Sequence, residues 1–420
     1  MNILIVTQYF WPENFRVNDL ALGLIERGHR VTVLTGIPNY PEGRFYTGYG
    51  FPGKHHETYL GIEIYRVPLI SRGASKGVRL ALNFISFALF GTLFGPLLCR
   101  AGFDVIYVFE VSPVTAALPA IVMKWIKKCP LQLHVLDLWP ESLIATDAVR
   151  SKFALHIVDK IVRFIYRHCD QILVQSRGFR LSLLERGVDG AKIRYFPSSA
   201  EGLFSSATLE DVLPPAQMPE GFIVLFAGNV GEAQDFPTVL LAAEKLLAHQ
   251  EIKFVIVGDG RRFEWVKDEV ARRGLNNVHL LGRFPLDTMP SFFKRADSML
   301  VTLKNEPIFA LTVPAKLQSY MAFGKPVAAA LDGEGRDIIE QSKSGVVAPA
   351  SNPDELAEAI LHLHRMTPEQ RAEMGANGRA YYFEHFDREM LLERLIIWME
   401  ELLSSRHPES EESKYERVQR

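Results

Sequence analysis

Short apolar runs recur along the chain, separated by stretches with helical spacing, and that alternation leaves few folds open. Ile3-Leu4-Ile5-Val6 is followed by a polar loop, then by residues 17–27 with Leu20, Leu24 and Ile25 at helical spacing and Gly28 as a stop. A second run follows at 31–34. A strand, a helix and a strand in so few residues cannot pair as a hairpin, so they predict a right-handed parallel crossover. Runs at 105–108, 131–136 and 172–174 extend the pattern into a doubly wound α/β domain. Between 198 and 221 the periodicity lapses into clustered Ser and a Pro-Pro pair, which predicts an interdomain linker. Strands at 222–226, 253–257, 278–281, 299–303 and 327–331 then alternate with helices at 238–247, 262–272 and 316–323, predicting a second parallel sheet. Helices over 354–403 follow, and residues 404–420, with almost no core formers, read as a flexible tail.

The 420 residues suit roughly two to three domains. Forty-seven Lys and Arg against 49 Asp and Glu give a net charge of −2, which excludes a protein that coats nucleic acid electrostatically. Cys99, Cys129 and Cys169 are widely spaced and odd in number, so a reducing compartment is expected. Met1 runs straight into an apolar strand with no basic region or cleavage site, and the expected location is cytoplasmic.

Two similar α/β halves facing each other would place the carboxyl ends of both sheets around one crevice, where open parallel sheets bind ligands. The first strand lacks the G-x-G-x-x-G fingerprint, which disfavours dinucleotide chemistry. Gly258-Asp259-Gly260-Arg261-Arg262 does follow a strand and open a helix, so its backbone could approach a phosphate; a tight structural turn explains it equally well. Pro314-Ala315-Lys316 starts a helix with a cation beside the positive dipole end, a placement that an anionic ligand would offset. Asp137 ends the 131–136 run and points toward the crevice, either orienting an incoming hydroxyl or capping the next helix. His134, two residues earlier, reads as a core histidine.

These residues reach a known family. The stretch from Met1 to Tyr49 (NILIVTQYFWPENFRVNDLALGLIERGHRVTVLTGIPNYPEG…GY), DKIVRFIYRHCDQILVQS at 159–176, GNVGEAQ at 228–234, VGDG at 257–260 and SYMAFGKPV at 319–327 resemble retaining family-4 glycosyltransferases. The elements PNYPEG at 38–43 and DLWPES at 137–142 are most similar to bacterial N-acetyl-L-fucosamine transferases of surface-polysaccharide synthesis. The resemblance implies the α/β GT-B architecture: two facing Rossmann-like domains with parallel sheets and a C-terminal crossover helix. It implies an acceptor-binding domain at 1–200, a sugar-nucleotide domain at 201–385, a helix at 386–403 returning to the first domain, and the tail.

The implied reaction moves a sugar, N-acetyl-L-fucosamine or a related amino sugar, from a nucleoside diphosphate, a UDP-sugar being the expected donor, to a polyprenyl-diphosphate-linked saccharide. No other cofactor is expected. By the same resemblance Gly228 and Asn229 face the diphosphate, Arg283 and Phe284 lie against the base, Asp259 and Arg261 flank the site, and Lys316 with the Pro314 to Leu317 backbone holds phosphate oxygens. Asp137 acts on the acceptor hydroxyl, with Glu141 as second choice. Two departures stand out: Leu311 and Ser319 occupy the positions of the family's paired glutamates, with Glu306 nearby, and Asn229 and Gln234 replace its usual Arg and Lys. Arg16, Arg261, Arg262 and Lys316 are then the candidate cations for the leaving diphosphate. No two aspartates are separated by one residue, so the D-x-D metal site of the other glycosyltransferase architecture is missing and a metal-independent reaction is expected. A GT-B sugar-nucleotide epimerase and an inactive membrane-docking subunit stay open as alternatives.

Residues 80–99 (LALNFISFALFGTLFGPLLC) approach the length of a membrane span, but Asn83, Ser86 and Pro96 interrupt them. Phe84, Phe87, Phe90 and Phe94 are expected on one face, with Arg72, Lys76, Arg79 and Arg100 flanking. Peripheral attachment to the inner membrane surface is expected, against burial on the sheet as the alternative.

Overall fold

The computed structural model describes residues 1–50, 52–73, 77–146, 149–206 and 218–405. The chain divides into two compact units: unit 1 comprises Met1–Gln175, Arg180–Phe196 and the chain from Glu389 onward, and unit 2 comprises Ser176–Phe179 and Pro197–Arg388. The core of the expected linker, 207–217, and residues 406–420 of the expected tail lie outside the described residues.

Unit 1 is built from β1 (Asn2–Val6), α1 (Arg16–Glu26), β2 (Arg30–Gly36), β3 (His56–Tyr59), β4 (Ile62–Val67), α2 (Gly77–Leu98), β5 (Val105–Glu110), α3 (Ala117–Lys127), β6 (Leu131–Val135), α4 (Glu141–Ala145), α5 (Lys152–His168), β7 (Gln171–Val174), α6 (Arg177–Glu185) and β8 (Ile193–Tyr195). The strands form one sheet in the order β3-β4-β2-β1-β5-β6-β7-β8. All neighbours are parallel except β3, which folds back antiparallel on β4. The β3–β4 hairpin went unread in the sequence, although Ile62 and Ile64 are buried while Glu63 and Tyr65 are partly exposed, the alternation of a strand with one wet face. β5 is buried at all six positions, as a central parallel strand covered on both sides must be.

Helix α1 buries Val17, Ala21 and Leu24, one helical stripe, against Ile3, Ile5, Val31 and Val33. Leu391, Leu395 and Met399 of the last helix join that same core.

Unit 2 contains α7 (Gly202–Ser206), β9 (Phe222–Ala227), α8 (Phe236–Lys245), β10 (Ile252–Val257), α9 (Phe263–Arg273), β11 (Val278–Gly282), α10 (Met289–Arg295), β12 (Ser298–Thr302), α11 (Pro307–Ala310), α12 (Ala315–Phe323), β13 (Val327–Ala330), α13 (Glu334–Ser342), β14 (Gly345–Ala348), α14 (Pro353–Arg365) and α15 (Pro368–His385), followed by α16 (Arg388–Ser404), whose body belongs to unit 1. Its parallel sheet runs β11-β10-β9-β12-β13-β14. Alternate side chains of β9 feed two cores: Ile223 and Leu225 on one face, Val224 and Phe226 on the other. In each sheet the strand order reverses at one point, beside β1 in unit 1 and beside β9 in unit 2, which leaves an opening at the carboxyl end of that strand.

Helix α2 corrects the sequence reading. Its buried face carries Asn83, Ser86, Phe87, Gly91 and Gly95. Asn83 accepts from Gln8 Nε2 at 2.7 Å and donates to the Ile70 carbonyl at 2.6 Å, so its amide is satisfied inside the fold. A Cβ at Gly91 would lie 2.6 Å from Pro119, so only glycine lets α2 sit this close to α3. Leu82, Ile85, Leu89, Leu93 and Leu97 form the exposed stripe instead. The four phenylalanines therefore do not share an outward face, and Phe87 is wholly buried.

Candidate functional site

In unit 2 the candidate residues gather at the carboxyl ends of β9, β10 and β12. β9 ends at Ala227, and Gly228 leaves it with φ +141°, a conformation that favours glycine. A Cβ at Gly258 would meet the Gly228 carbonyl at 1.8 Å, and one at Gly260 would meet the Val230 carbonyl at 2.4 Å. Hydrogen bonds from Val230 N to Asp259 O (2.9 Å) and from Arg262 N to Val230 O (3.0 Å) zip the loops after β9 and β10 together. The glycines of the 258–262 turn are thus required first by backbone packing, and the result is a narrow edge of exposed Gly228 and Asn229.

Lys316 faces this edge. Its Nζ lies 3.6 Å from the position a Gly228 Cβ would take and 3.6 Å from the centre of the Phe226 ring. Nζ is buried and has no hydrogen-bond partner among the described residues. Burial draws its pKa down to about 7. In the first turn of a helix, dipole and desolvation both oppose the charge on Lys316, a cost that an anion beside it would offset.

The neighbours of Lys316 divide. Leu317 was expected to offer its amide to phosphate, but that N–H donates to the Pro314 carbonyl at 2.8 Å and its side chain is wholly buried in the core. Pro314 is the buried residue that precedes α12. Asp259 Oδ1 accepts from Gly260 N at 2.6 Å, while Oδ2 lies 3.9 Å from Arg283. Arg283 and Arg261 are exposed, and Phe284 packs edge-on against Phe292 at 4.8 Å. Arg262 lies 3.9 Å over the Trp265 ring and 3.4 Å from Glu232.

Lys304, which sequence reasoning missed, is bound to the same Glu232 and brings a second cation to the GNVGEAQ loop from β12. Beside it a cavity of about 100 Å³ is lined by Leu303, Asn305, Glu306, Phe309 and Asp332. At the family's glutamate positions, Leu311 packs against Gly178 and Ser319 Oγ lies 3.4 Å from Glu201.

In unit 1 a second group forms at the ends of β1, β5 and β6. Asp137 accepts from the Trp139 indole at 3.1 Å and from the Ser142 hydroxyl, so it braces the turn into α4. Burial raises its pKa. Glu141 is paired with Arg186, which also donates to the Trp139 carbonyl at 3.1 Å and to Asp159 at 3.3 Å. Arg16 opens α1 in this unit. His134 is a core residue: its Nδ1 meets the Tyr107 hydroxyl at 2.8 Å, rings of Phe109 and Phe196 enclose it, and burial lowers its pKa to about 3.

Two acids were not foreseen. Glu13 is buried, accepts from the amides of Asn39 (2.7 Å) and Tyr40 (2.6 Å), and so fixes the PNYPEG loop; burial lifts its pKa to about 7. Glu110 ends β5 fully buried, its carboxylate facing the backbone amides of Leu136 and Asp137. It pairs across the ladder with Val135, two residues before Asp137, and burial together with the Asp137 charge raises its pKa well above the ordinary value. An acid closing the otherwise apolar run VIYVFE was the available signal.

Among the described residues no three His, Cys, Asp or Glu side chains gather in a metal-holding arrangement.

Residues 14–198 match the glycosyl transferase 4-like domain, and residues 215–381 match glycosyl transferases group 1. The chain is a glycosyltransferase of the GT-B fold. Among its relatives is the probable glycosyltransferase WbjE of Pseudomonas aeruginosa, 26% identical over 68% of this chain and 70% of the relative. Another is WcaI of Escherichia coli (strain K12), assigned as a glycosyl transferase to colanic acid biosynthesis, 23% identical over 77% of this chain and 82% of the relative. The solved structure of Anabaena HepE in complex with UDP-glucose superposes with a TM-score of 0.66, 17% identity, and coverage of 96% of this chain and 100% of HepE. The transferase thus shares its fold with HepE, solved with UDP-glucose, and is related in sequence to bacterial glycosyltransferases, one of them assigned to colanic acid biosynthesis.

Proposed function

We propose that this glycosyltransferase moves a sugar, N-acetyl-L-fucosamine or a related amino sugar, from a UDP-linked donor to a polyprenyl-diphosphate-linked saccharide, with retention and without a metal. The observation that carries the reading is Lys316, whose buried amine lies over the Phe226 ring at the Gly228 edge of unit 2 and has no hydrogen-bond partner among the described residues. As the anomeric carbon leaves the diphosphate oxygen, negative charge grows there, and a pre-placed cation in a dry site stabilises that charge more than the ground state. Arg262 and Lys304, held in place by Glu232, would add to it, with Arg261, Arg283 and Phe284 toward the nucleoside. Unit 1 would hold the acceptor, and Asp137, its basicity raised by burial, would take the hydroxyl proton as the new bond to the sugar forms. Glu141 serves that role less well because Arg186 occupies it.

The apolar acceptor tail suits a protein on the inner membrane surface. The outward stripe of α2 supplies the contact, since its apolar side chains gain nothing from facing water.

Calorimetric titration with UDP and GDP comes first, followed by product analysis with UDP-sugars in the presence and absence of lipid acceptor. Transfer should require the acceptor and persist in EDTA. Release of free nucleotide without acceptor would mark an epimerase, and absence of nucleotide binding would mark a docking subunit. Asp137→Asn should lower kcat by at least about 100-fold while leaving UDP affinity unchanged.

A further inference from the structure

We propose that α3 and α5 form a second membrane-contact face of unit 1, one that selects anionic lipid headgroups. This rests on the peripheral-membrane reading and adds its lipid class and a second point of contact.

The outward side of α5 carries Phe153, Ile157 and Phe164 at 75, 43 and 40% exposure, positions that follow one helical stripe. The end of α3 adds Trp125 and Ile126, each 54% exposed. The two helices are joined at this surface: the His168 ring lies 5.5 Å from Trp125 and 4.2 Å from Phe164, and Lys124 Nζ donates to the His168 carbonyl at 2.7 Å. The exposed rings of Trp125 and Phe164 therefore meet through His168 across two helices, and Ile157 and Phe153 continue the stripe along α5.

Charge decides what would cover them. Lys152, Lys160, Arg163 and Arg167 are exposed on α5, and Lys127 and Lys128 stand at the end of α3. The only acid within either helix is Asp159, which is held by Arg163 at 2.7 Å and by Arg186 at 3.3 Å. Against a whole-chain charge of −2, this face is strongly cationic. Aromatic and aliphatic side chains ringed by Lys and Arg match a helix lying in the headgroup region of an anionic bilayer. α3 also packs against α2 through Pro119 and Gly91, so the two contact stripes belong to neighbouring helices of one unit.

The test is co-sedimentation of the full chain with phosphatidylcholine vesicles and with vesicles containing phosphatidylglycerol. Wild type should pellet with the anionic vesicles and stay in solution with the neutral ones. Lys160→Gln with Arg167→Gln should weaken anionic-vesicle binding about 30-fold, equivalent to roughly 2 kcal/mol at about 1 kcal/mol per cation. Ile157→Ser with Phe164→Ser should weaken it comparably, and both variants should melt like wild type because the positions are exposed. If the α5 variants pellet normally while Leu89→Ser with Leu93→Ser on α2 is released, the α3–α5 proposal falls and the membrane reading stands. Wild type that pellets with neither vesicle overturns both. A dimer that Ile157→Ser with Phe164→Ser converts to monomer, with vesicle binding unchanged, would make the face a self-association surface and overturn the proposal.

Discussion

Lys316 and Glu110 are both buried against their charge, and the direction of each shift makes a test. Lys316 titrates near 7 in the fold against about 10.4 in an unfolded chain, so the unfolded chain holds more protons between those values and stability rises with pH there. The penalty for the buried charge is complete below about pH 7. Lys316→Met should therefore be more stable than wild type at pH 6, with the difference closing as pH approaches 10, measured by denaturant melts. A bound diphosphate would restore the charge. At pH 8, UDP binding measured in two buffers of different ionisation enthalpy should show uptake of close to one proton, and Lys316→Met should abolish it. Glu110 has the opposite sense: its raised pKa keeps the folded carboxyl protonated where the unfolded one ionises, so stability is lost as pH rises above the ordinary carboxylate value. The melting temperature of Glu110→Gln relative to wild type should climb from pH 5 to pH 8; a difference independent of pH would remove the neutral-acid assignment. Lys316 was readable because a cation at a helix start is locally unfavourable. For Glu110 the acid at the end of the apolar run VIYVFE was the signal, but its full burial is decided by the 136–137 turn and by Tyr166 of α5 beside it.

At the scale of elements, α2 shows how a helix with apolar residues all round is sorted by its neighbours. Asn83 and Ser86 turn inward because Gln8 and the Ile70 backbone offer them partners, and the leucines are left outside. Phe87→Asp should cost several kcal/mol by burying an unpaired charge, whereas Leu89→Ser with Leu93→Ser should leave the melt unchanged. Gly91→Val should destabilise by about 1–3 kcal/mol through overpacking on Pro119, read from the denaturation midpoint. The crossover pattern of β1, α1 and β2 was legible because a strand or amphipathic helix repeats at a local period. The orientation of α2 was not, since no local period separates its two apolar sides.

For the molecule as a whole, α16 ties the end of the chain to its beginning. Leu391, Leu395 and Met399 sit with Ile3 and Ile5, Trp398 packs edge-on to Phe196 at 5.9 Å, and Arg27 pairs with Glu389. Burying three such side chains contributes about 5 kcal/mol or more, comparable to the stability of a domain. A chain ending at Arg388 should accumulate as insoluble protein, and its soluble fraction should melt well below wild type in calorimetry.

What the residues determined by themselves was local: the strand-and-helix alternation, the glycine turns after β9 and β10, and the motifs shared with glycosyltransferases, because each is written in neighbouring positions. The tertiary structure decided the rest. It set Lys316 against Gly228, Glu110 beside the Asp137 turn, Asn83 inward and α16 against β1, and these depend on contacts between distant segments, where burial and hydrogen-bond partners settle between faces that the chain alone leaves equivalent.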